Sequence, residues 1–358
     1  MSVEPNDQVI VEKNKGIGYI TLNRPSALNT INLPMVKVIH SALKDWAQSE
    51  EIKAVVIKGN GDKAFCAGGD VRRVYECIKE GSGEYEDFFQ QEFELDKYIY
   101  NYPKPCIALM HGIVMGGGMG LTQGAKFRVV CETTKIAMPE TAIGYFPDVG
   151  ASYFLTRKNP ALAVYLGVTG KLLSAQDTLY CNLADWILPM KQWDAFKVRL
   201  EEIKGTSATN SVSDQILGIL KDLGGSTQYQ DSTVWSHIDS INAVFALPSL
   251  LEIYDALYAR GTETWAVETL EGMKKNSPLA MAASQQLLNQ GSKLSLNEAF
   301  AVELELNFLW KTRGEFVEGV RAALVDKDKK PVWKYSLSDV NTALLKDNFP
   351  PLFKHYKP

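Results

Sequence analysis

Histidine is scarce in this chain: His40, His111, His237 and His355 are the only four, and none stands in an HExxH pattern or beside a cysteine pair. That leaves little material for a zinc site, so no metal is expected. Cysteine is nearly as sparse. Cys66, Cys77, Cys106, Cys131 and Cys181 make an odd count with no CxxC spacing, in a chain too long to need disulfide staples. A reducing compartment follows, and a cytoplasmic location is the expectation. Positive charge is not in excess either. Lys plus Arg is 38 against 42 Asp plus Glu, a formal net charge of −4, which argues against a nucleic acid partner. No apolar run approaches the length of a membrane span. The opening MSVEPNDQVIVEKNKG carries three acidic residues before Lys13 and no apolar run, the wrong chemistry for a targeting segment. Neither GxxxxGK[ST] nor GxGxxG is completed, so nucleotide-phosphate and dinucleotide readings lose their spacing.

What remains is an ordinary globular composition: 358 residues, 46% hydrophobic, 22% charged and 10% aromatic. At roughly 150 residues per domain this is two domains or one elaborated core. Val9–Glu12 and Gly16–Leu22 alternate across a Lys-Asn-Lys-Gly turn and predict a hairpin ended by Asn23-Arg24-Pro25. Val36, Ile39, Leu43 and Trp46 recur at helical spacing behind Pro34. Lys53–Lys58, Pro105–Met110 and Phe127–Val130 are short apolar strands, and Glu84–Tyr100 is helical in pattern. Strands alternating with helices predict an α/β core. Gly205–Asn210 and Gly224–Ser232 read as connectors, and beyond about residue 210 the strand signal fades. Ser277-Pro278 is a helix start, helices fill much of 262–325, and the Lys- and Pro-rich tail from Asp326 carries Trp333, Tyr335, Phe349 and Phe353 as anchors for surface packing.

Three segments carry chemistry: Lys63–Asp70 (KAFCAGGD), His111–Gly120 (HGIVMGGGMG) and Met138–Gly150 (MPETAIGYFPDVG). Glycine between strand and helix lets backbone N–H groups face an anion or a developing oxyanion at close range. It also allows helices to pack tightly on strands. Two such turns favour the oxyanion reading. Glu140, behind Pro139, is either a first-turn acid stabilised by a helix dipole or a working carboxylate. Asp148, behind Pro147, is either an N-cap or a second carboxylate sharing a pocket with it. His111 and Cys66 read as structural, since neither has an activating partner in the nearby sequence.

These segments, in this order, resemble the crotonase (enoyl-CoA hydratase/isomerase) superfamily through most of residues 8–190, with Asn23-Arg24-Pro25 and Ala27-Leu28-Asn29 matching its first active-site loop. Phe65–Arg72, Ala137–Gly144, Phe146–Gly150 and the late Arg321–Asp328 with Pro331 and Trp333 are similar to the superfamily's 3-hydroxyisobutyryl-CoA hydrolases. Residues 205–245 carry the least of the likeness. The resemblance implies an α/β fold, a crotonase-type spiral of ββα units with a helical C-terminal region. It divides as 1–205, the spiral core with CoA and active site, and 206–358, the helical region and packed tail. It implies that the N–H groups of Gly69 and Gly117 hold the thioester oxygen, that Ala67 lies where the adenine of CoA is held, and that Arg72 or Arg73 meets its phosphates. Hydratases of the superfamily use a first glutamate two residues past the GGG, and here that position is Gly120. Glu140 stands at the second catalytic position. Asp148 replaces a hydratase glycine and would orient a substrate 3-hydroxyl.

The implied reaction is hydrolysis of 3-hydroxyisobutyryl-CoA, a step of valine degradation, with Glu140 as nucleophile or general base and with 3-hydroxypropionyl-CoA as a second substrate. No cofactor is implied beyond the CoA of the substrate, and homo-oligomers, frequent in the superfamily, are left open. Two other readings stand beside it: an enoyl-CoA isomerase or weak hydratase using Glu140 alone, and a noncatalytic acyl-CoA binding protein on the same fold.

Overall fold

The structure, a computed structural model, describes residues 8–205 and 211–354. His355, the first seven residues of the opening segment and most of the 205–210 connector lie outside them. The described chain forms two compact units, each drawn from several stretches of sequence. One comprises residues up to Gly69, Glu94–Ile136 and Leu173–Ser232. The other comprises Asp70–Phe93, Ala137–Leu172 and the residues from Thr233 onward. The units are thus interleaved along the chain.

The first unit is organised by a six-stranded sheet. The hairpin forms as its alternation predicts: β1 (Val9–Asn14) pairs antiparallel with β2 (Ile17–Leu22), with Lys15 and Gly16 at the turn both at positive φ. β2 then pairs in parallel with β3 (Ala54–Gly59), from Ile17 opposite Ala54 to Leu22 opposite Gly59. β5 (Cys106–Met110), β7 (Phe127–Val130) and the short Trp186–Ile187 strand continue the parallel series. Parallel strands are covered on both faces, which is why β3 and β5 read as unbroken apolar runs. Between β2 and β3 lies α1 (Leu33–Gln48), started by the Asn32 side chain accepting from the Met35 amide at 3.1 Å and by Pro34 in the first turn. A core of Ile17, Val56, Ile107 and Val129 with Phe196, Ile216 and Leu220 lies against the sheet. Ile216 and Leu220 come from the helix Val212–Asp222, so part of the 205–245 stretch supplies core.

A smaller sheet is ordered β4 (Ala64–Cys66), β6 (Ile113–Met115) and β8 (Lys135–Ala137). Its strand ends feed the glycine turns: β4 runs into Ala67-Gly68-Gly69, and β6 runs through Gly116 into the short helix α4 (Gly117–Gln123).

The second unit is largely helical among its described residues. Among the described residues beyond 210 the only strand-like pairing is an isolated bridge at Ser226, which belongs to the first unit, as the fading strand signal predicts. Ser277 caps the helix Pro278–Gly291, its hydroxyl accepting from the Ala280 amide at 2.9 Å. The helix Leu296–Arg313 follows, opened by a Ser295/Glu298 capping box. The tail is tied down. Glu315 accepts from the Lys334 and Tyr335 amides, and Arg321 pairs with Glu318 at 2.8 Å, Asp326 at 2.5 Å and Asp328 at 2.9 Å. Phe349 is buried, while Trp333, Tyr335 and Phe353 are half-buried. Among the described residues no helix is long and apolar enough to cross a membrane.

Candidate active site

In the first unit the site material is backbone. The turn after β4 is stapled to the Asn23–Asn29 loop: the Ala67 amide donates to the Leu28 carbonyl at 3.0 Å, and the Ile31 amide to the Gly68 carbonyl at 2.9 Å. Asn29, buried and in the left-handed region, fixes that loop. Its Nδ2 donates to the Asn60 and Ala64 carbonyls, both at 2.9 Å, and its Oδ1 accepts from the Arg24 amide at 2.9 Å. The motif that marked a first active-site loop therefore acts locally as a lock on the glycine turn.

The two glycine turns adjoin. A Cβ placed on Gly68, which has φ +113°, would lie 3.3 Å from the Met115 carbonyl oxygen and 3.8 Å from the Gly117 nitrogen. Among the described residues, neither the Gly69 nor the Gly117 amide has a hydrogen-bond acceptor. Gly118 packs so closely on β4 that a Cβ there would fall 2.5 Å from the Cys66 carbonyl oxygen. Cys66 itself is a packing group whose sulfur accepts from the Gly68 amide at 3.4 Å. At Gly120, the position of the hydratases' first glutamate, a Cβ would come within 2.4 Å of an Asp96 carboxylate oxygen. Asp96, from α3 (Glu84–Tyr100), fills the space a side chain at 120 would need. His111 is buried edge-on to Trp193 at 6.0 Å, and burial holds its pKa below the ordinary value against the opposing pull of the Gly61 backbone and Asp62.

In the second unit the material is carboxylate. Glu140 opens a 3-10 helix (Glu140–Ile143) that ends at Gly144 in the left-handed region. The turn is held from outside. The Ser277 amide donates to the Thr141 carbonyl and Asn276 Nδ2 to Thr141 Oγ1, both at 3.0 Å, and Trp310 Nε1 donates to the Gly144 carbonyl at 2.8 Å. Glu140 is only 7% exposed, and among the described residues its Oε2 has no hydrogen-bond partner. Burial, and then the charge of Asp148, pushes its pKa well above the ordinary range.

Asp148 is also buried, at 6% exposure. It is not the N-cap that its sequence context allows: Gly150 occupies that place before the helix Ala151–Phe154. Its pKa is raised by burial first and by Glu303 second, with a hydrogen bond from Tyr145 opposing. Glu303, from the helix Leu296–Arg313, is fully buried. So is Glu92 of α3, whose pKa burial and Asp148 raise together. Tyr145 accepts from Asn307 Nδ2, and the Tyr85 hydroxyl donates to the Asn307 carbonyl at 3.1 Å. Glu140, Asp148, Glu92 and Glu303 thus form one electrostatically coupled group walled by tyrosines.

The remaining expected residues lie as follows. Arg72 is exposed on α2 (Val71–Glu80), its Nη2 donating to the Leu324 carbonyl, and Arg73 is taken up by Glu84 at 2.6 Å. Ala67 is half-buried in the β4 turn. Among the described residues, no three His, Cys, Asp or Glu side chains are grouped as metal ligands.

Sequence reasoning missed Glu92 and Glu303. A signal existed for both. Glu92 and Asp96 fall on the same helical stripe as Phe89 and Ile99, and Glu303 falls between Phe300 and Leu306 on the face that continues to Trp310. Acids at core positions of an amphipathic helix are the unusual observation.

Comparison with known proteins places the chain in a family. The family model described as enoyl-CoA hydratase/isomerase matches residues 17–349. Curated relatives include "3-hydroxyisobutyryl-CoA hydrolase, mitochondrial" of Gallus gallus, 37% identical and aligned over 96% of this chain and 89% of its own length. The Homo sapiens protein of the same name is 36% identical, covering 96% and 88%. Among solved structures, a carnitinyl-CoA dehydratase from Mycobacterium thermoresistibile superposes with a TM-score of 0.87 at 31% identity over 96% of both chains. An enoyl-CoA hydratase from Rhodobacter sphaeroides 2.4.1 gives 0.83 at 32% identity, covering 96% of this chain and 98% of its own. With glycine turns and a buried acid at the positions the motifs mark, and a family match spanning nearly its whole length, the chain belongs to the enoyl-CoA hydratase/isomerase family, with a crotonase-type α/β fold.

Proposed function

We propose that this protein is an acyl-CoA thioester hydrolase that converts 3-hydroxyisobutyryl-CoA and water to 3-hydroxyisobutyrate and CoA, as in valine catabolism. The observation that carries the reading is the coupling of Glu140 to Asp148 in a buried setting, within a chain similar over most of its length to curated hydrolases of that name. In this reading 1–205 carries most of the CoA and acyl site, and 206–358 is the supporting helical region and tail.

The Gly69 and Gly117 amides donate to the thioester oxygen as it gains negative charge, and removing one such donor costs about 3–4 kcal/mol of barrier. Ionised Glu140 attacks the thioester carbon, expelling CoA thiolate and leaving an acyl-enzyme anhydride that water cleaves, or it takes a proton from the attacking water. Both routes regenerate the carboxylate. Asp148 binds the 3-hydroxyl of the acyl group. Ala67 and Arg72 hold the CoA portion, and CoA enters as part of the substrate, with no cofactor and no nucleic acid involved. Five buried cysteines without disulfides suit a reducing compartment, whether the cytoplasm that the sequence suggested or the mitochondrion that the relatives' names give.

Hydration or dehydration of an enoyl-CoA is the second reading, favoured by the names of the two solved structures at 31–32% identity. Against it stands Gly120, where no first glutamate exists and Asp96 fills the space. The test is CoA thiol release from 3-hydroxyisobutyryl-CoA, with crotonyl-CoA hydration in parallel. Glu140→Ala should lower kcat by about 10³-fold or more, and Asp148→Gly should remove activity on the 3-hydroxylated ester. Clear hydration without thiol release would replace the hydrolase reading with the second one, and binding without any turnover would leave only an acyl-CoA carrier.

A further inference from the structure

The turn that carries Asp148 is built against the preferences of its own residues. Val149 has φ +52° and Gly150 φ +87°. A β-branched residue in the left-handed region is a genuine outlier, and such a conformation persists only where the surroundings over-determine it. Here one side chain supplies the polar part of those surroundings. Glu303 reaches from the helix Leu296–Arg313 and accepts from the Gly150 amide on Oε2 at 2.7 Å. Its Oε1 accepts from the Ser152 amide at 2.9 Å and from the Ser152 hydroxyl at 2.5 Å. Close-set amides following a left-handed residue make a concave anion site, and here the anion is internal. The helix closes the turn a second time through Phe300, whose ring would lie 2.8 Å from a Cβ on Gly150. Among the described residues Glu303 has no cationic partner, so those three donors alone stabilise its charge.

That charge lies beside a crowded set. The charge of Asp148 is felt by Glu140 of the 3-10 helix and by Glu92 and Tyr85 of α3, and Asp148 itself feels Glu303 and is hydrogen-bonded to Tyr145 of its own loop. No cation is in the set. Burial and their mutual repulsion both disfavour ionising all of these carboxyls at once. Burial moves Glu303 up to about 7, with the Ser152 and Gly150 hydrogen bonds opposing, and its charge in turn raises Asp148. A protonated Asp148 no longer opposes ionisation of Glu140.

We infer that Glu303 is a positioning residue for Asp148: it clamps the Gly150 and Ser152 amides, fixes the strained turn that carries Asp148, and so holds that carboxyl in place for the substrate 3-hydroxyl. The inference rests on the hydrolase reading above for its catalytic consequence, and on geometry alone for the clamp.

The experiment uses the full chain with Glu303→Gln and Glu303→Asp. Gln offers one oxygen and sets an NH2 group against an N–H donor. Asp keeps the charge at shorter reach. With 3-hydroxyisobutyryl-CoA and isobutyryl-CoA compared, Glu303→Gln should lower kcat/KM on the hydroxylated ester by about 10²-fold, the scale of a small misplacement. The unhydroxylated ester should lose only a few-fold, so preference for the 3-hydroxyl collapses toward that of Asp148→Gly. The Asp148 ionisation in the pH profile should move to lower pH in Glu303→Gln and stay in place in Glu303→Asp, which also regains part of the preference. Equal losses on both esters with an unmoved profile would overturn the inference, as would an unchanged preference. If Glu303→Gln does not fold, Glu303→Asp carries the test, with reduced preference and an unmoved profile as the expected pair; wild-type preference in it would overturn the clamp. Should the wild type release no CoA from either ester, the hydrolase reading fails instead, and hydrogen exchange decides the clamp. The Gly150 and Ser152 amides should then exchange at least about tenfold faster in Glu303→Gln than in wild type, and equal rates would overturn it.

Discussion

Around the glycine turns of the first unit, polar groups are offered by the main chain. Among the described residues the Gly69 and Gly117 amides stand without acceptors, Asn29 and Cys66 are spent on holding the turn, and burial lowers the pKa of His111. In the second unit the order is reversed. Four acids, Glu92, Glu140, Asp148 and Glu303, are buried and influence one another through Asp148, and the Glu303 carboxylate is taken up by hydrogen-bond donors from Gly150 and Ser152. The difference teaches how each kind of group can be altered. A backbone donor cannot be deleted by trimming a side chain, only displaced by adding one. A buried acid can be neutralised in place, and its effect is then read through pH.

The largest effect on that contrast is expected from Gly118→Ala. The added methyl would meet the Cys66 carbonyl oxygen at 2.5 Å and Cys66 Cβ at 2.9 Å, so the start of α4 and the end of β4 must part. Overpacking of this kind costs about 1–3 kcal/mol of stability. If the amides are the working groups, kcat for thioester cleavage should fall by a further factor of about 10², measured beside urea unfolding of the same protein. Lost stability with unchanged kcat in the folded fraction would show that the glycines serve packing alone, and the contrast between the units would break.

The same contrast explains what was legible in the sequence. Glycine announces a backbone requirement directly, so GGD and GGG could be placed at strand ends before any coordinates. Strands such as Ala54–Gly59 and Cys106–Met110 were equally plain, because a parallel strand covered on both faces leaves an uninterrupted apolar run. The Ser277-Pro278 helix start is written in two adjacent residues. Glu92 and Glu303 are different. QQEFELDK and VELEL read as the wet side of a helix unless each acid is tracked by its register against Phe89 and Ile99, or against Phe300 and Trp310. Even then, which acids meet Asp148 depends on contacts more than 50 residues apart along the chain, and no local pattern encodes that. The interleaving of the two units is hidden for the same reason.

A smaller effect, confined to the acid-rich unit, is expected of Glu92→Gln. Burial first, and Asp148 second, place the folded-state pKa of Glu92 above its unfolded value. The folded state therefore holds a proton that the unfolded chain has released. The associated stability is complete below the ordinary carboxylate range and is lost as pH rises through the folded pKa. Glutamine keeps the neutral shape and removes that loss. The melting temperature of the variant minus that of wild type should increase from pH 5.5 to pH 8.5, by on the order of 2–4 °C for each kcal/mol recovered. A difference independent of pH would mean that Glu92 is ionised throughout, and that the acids do not share protons.

The smallest expected effect concerns Arg72, where the contrast between buried and exposed charge is sharpest. Its guanidinium is exposed and donates to the Leu324 carbonyl. A solvent-exposed ion contact is worth about 0.2–1 kcal/mol, since water competes for both partners and the long side chain loses rotamer freedom on pairing. If Arg72 meets a CoA phosphate, Arg72→Ala should raise KM for the CoA ester by about 2- to 5-fold with kcat unchanged, because binding remote from the reacting carbonyl is the same in ground and transition states. The pantetheine thioester of the same acid, which lacks the nucleotide phosphates, supplies the control. Its KM should not move, and the effect on the CoA ester should fade with added salt. An equal change on both esters would trace the loss to the Leu324 contact, and Arg72 would then join Arg73 and Arg321 among the arginines that hold chain to chain.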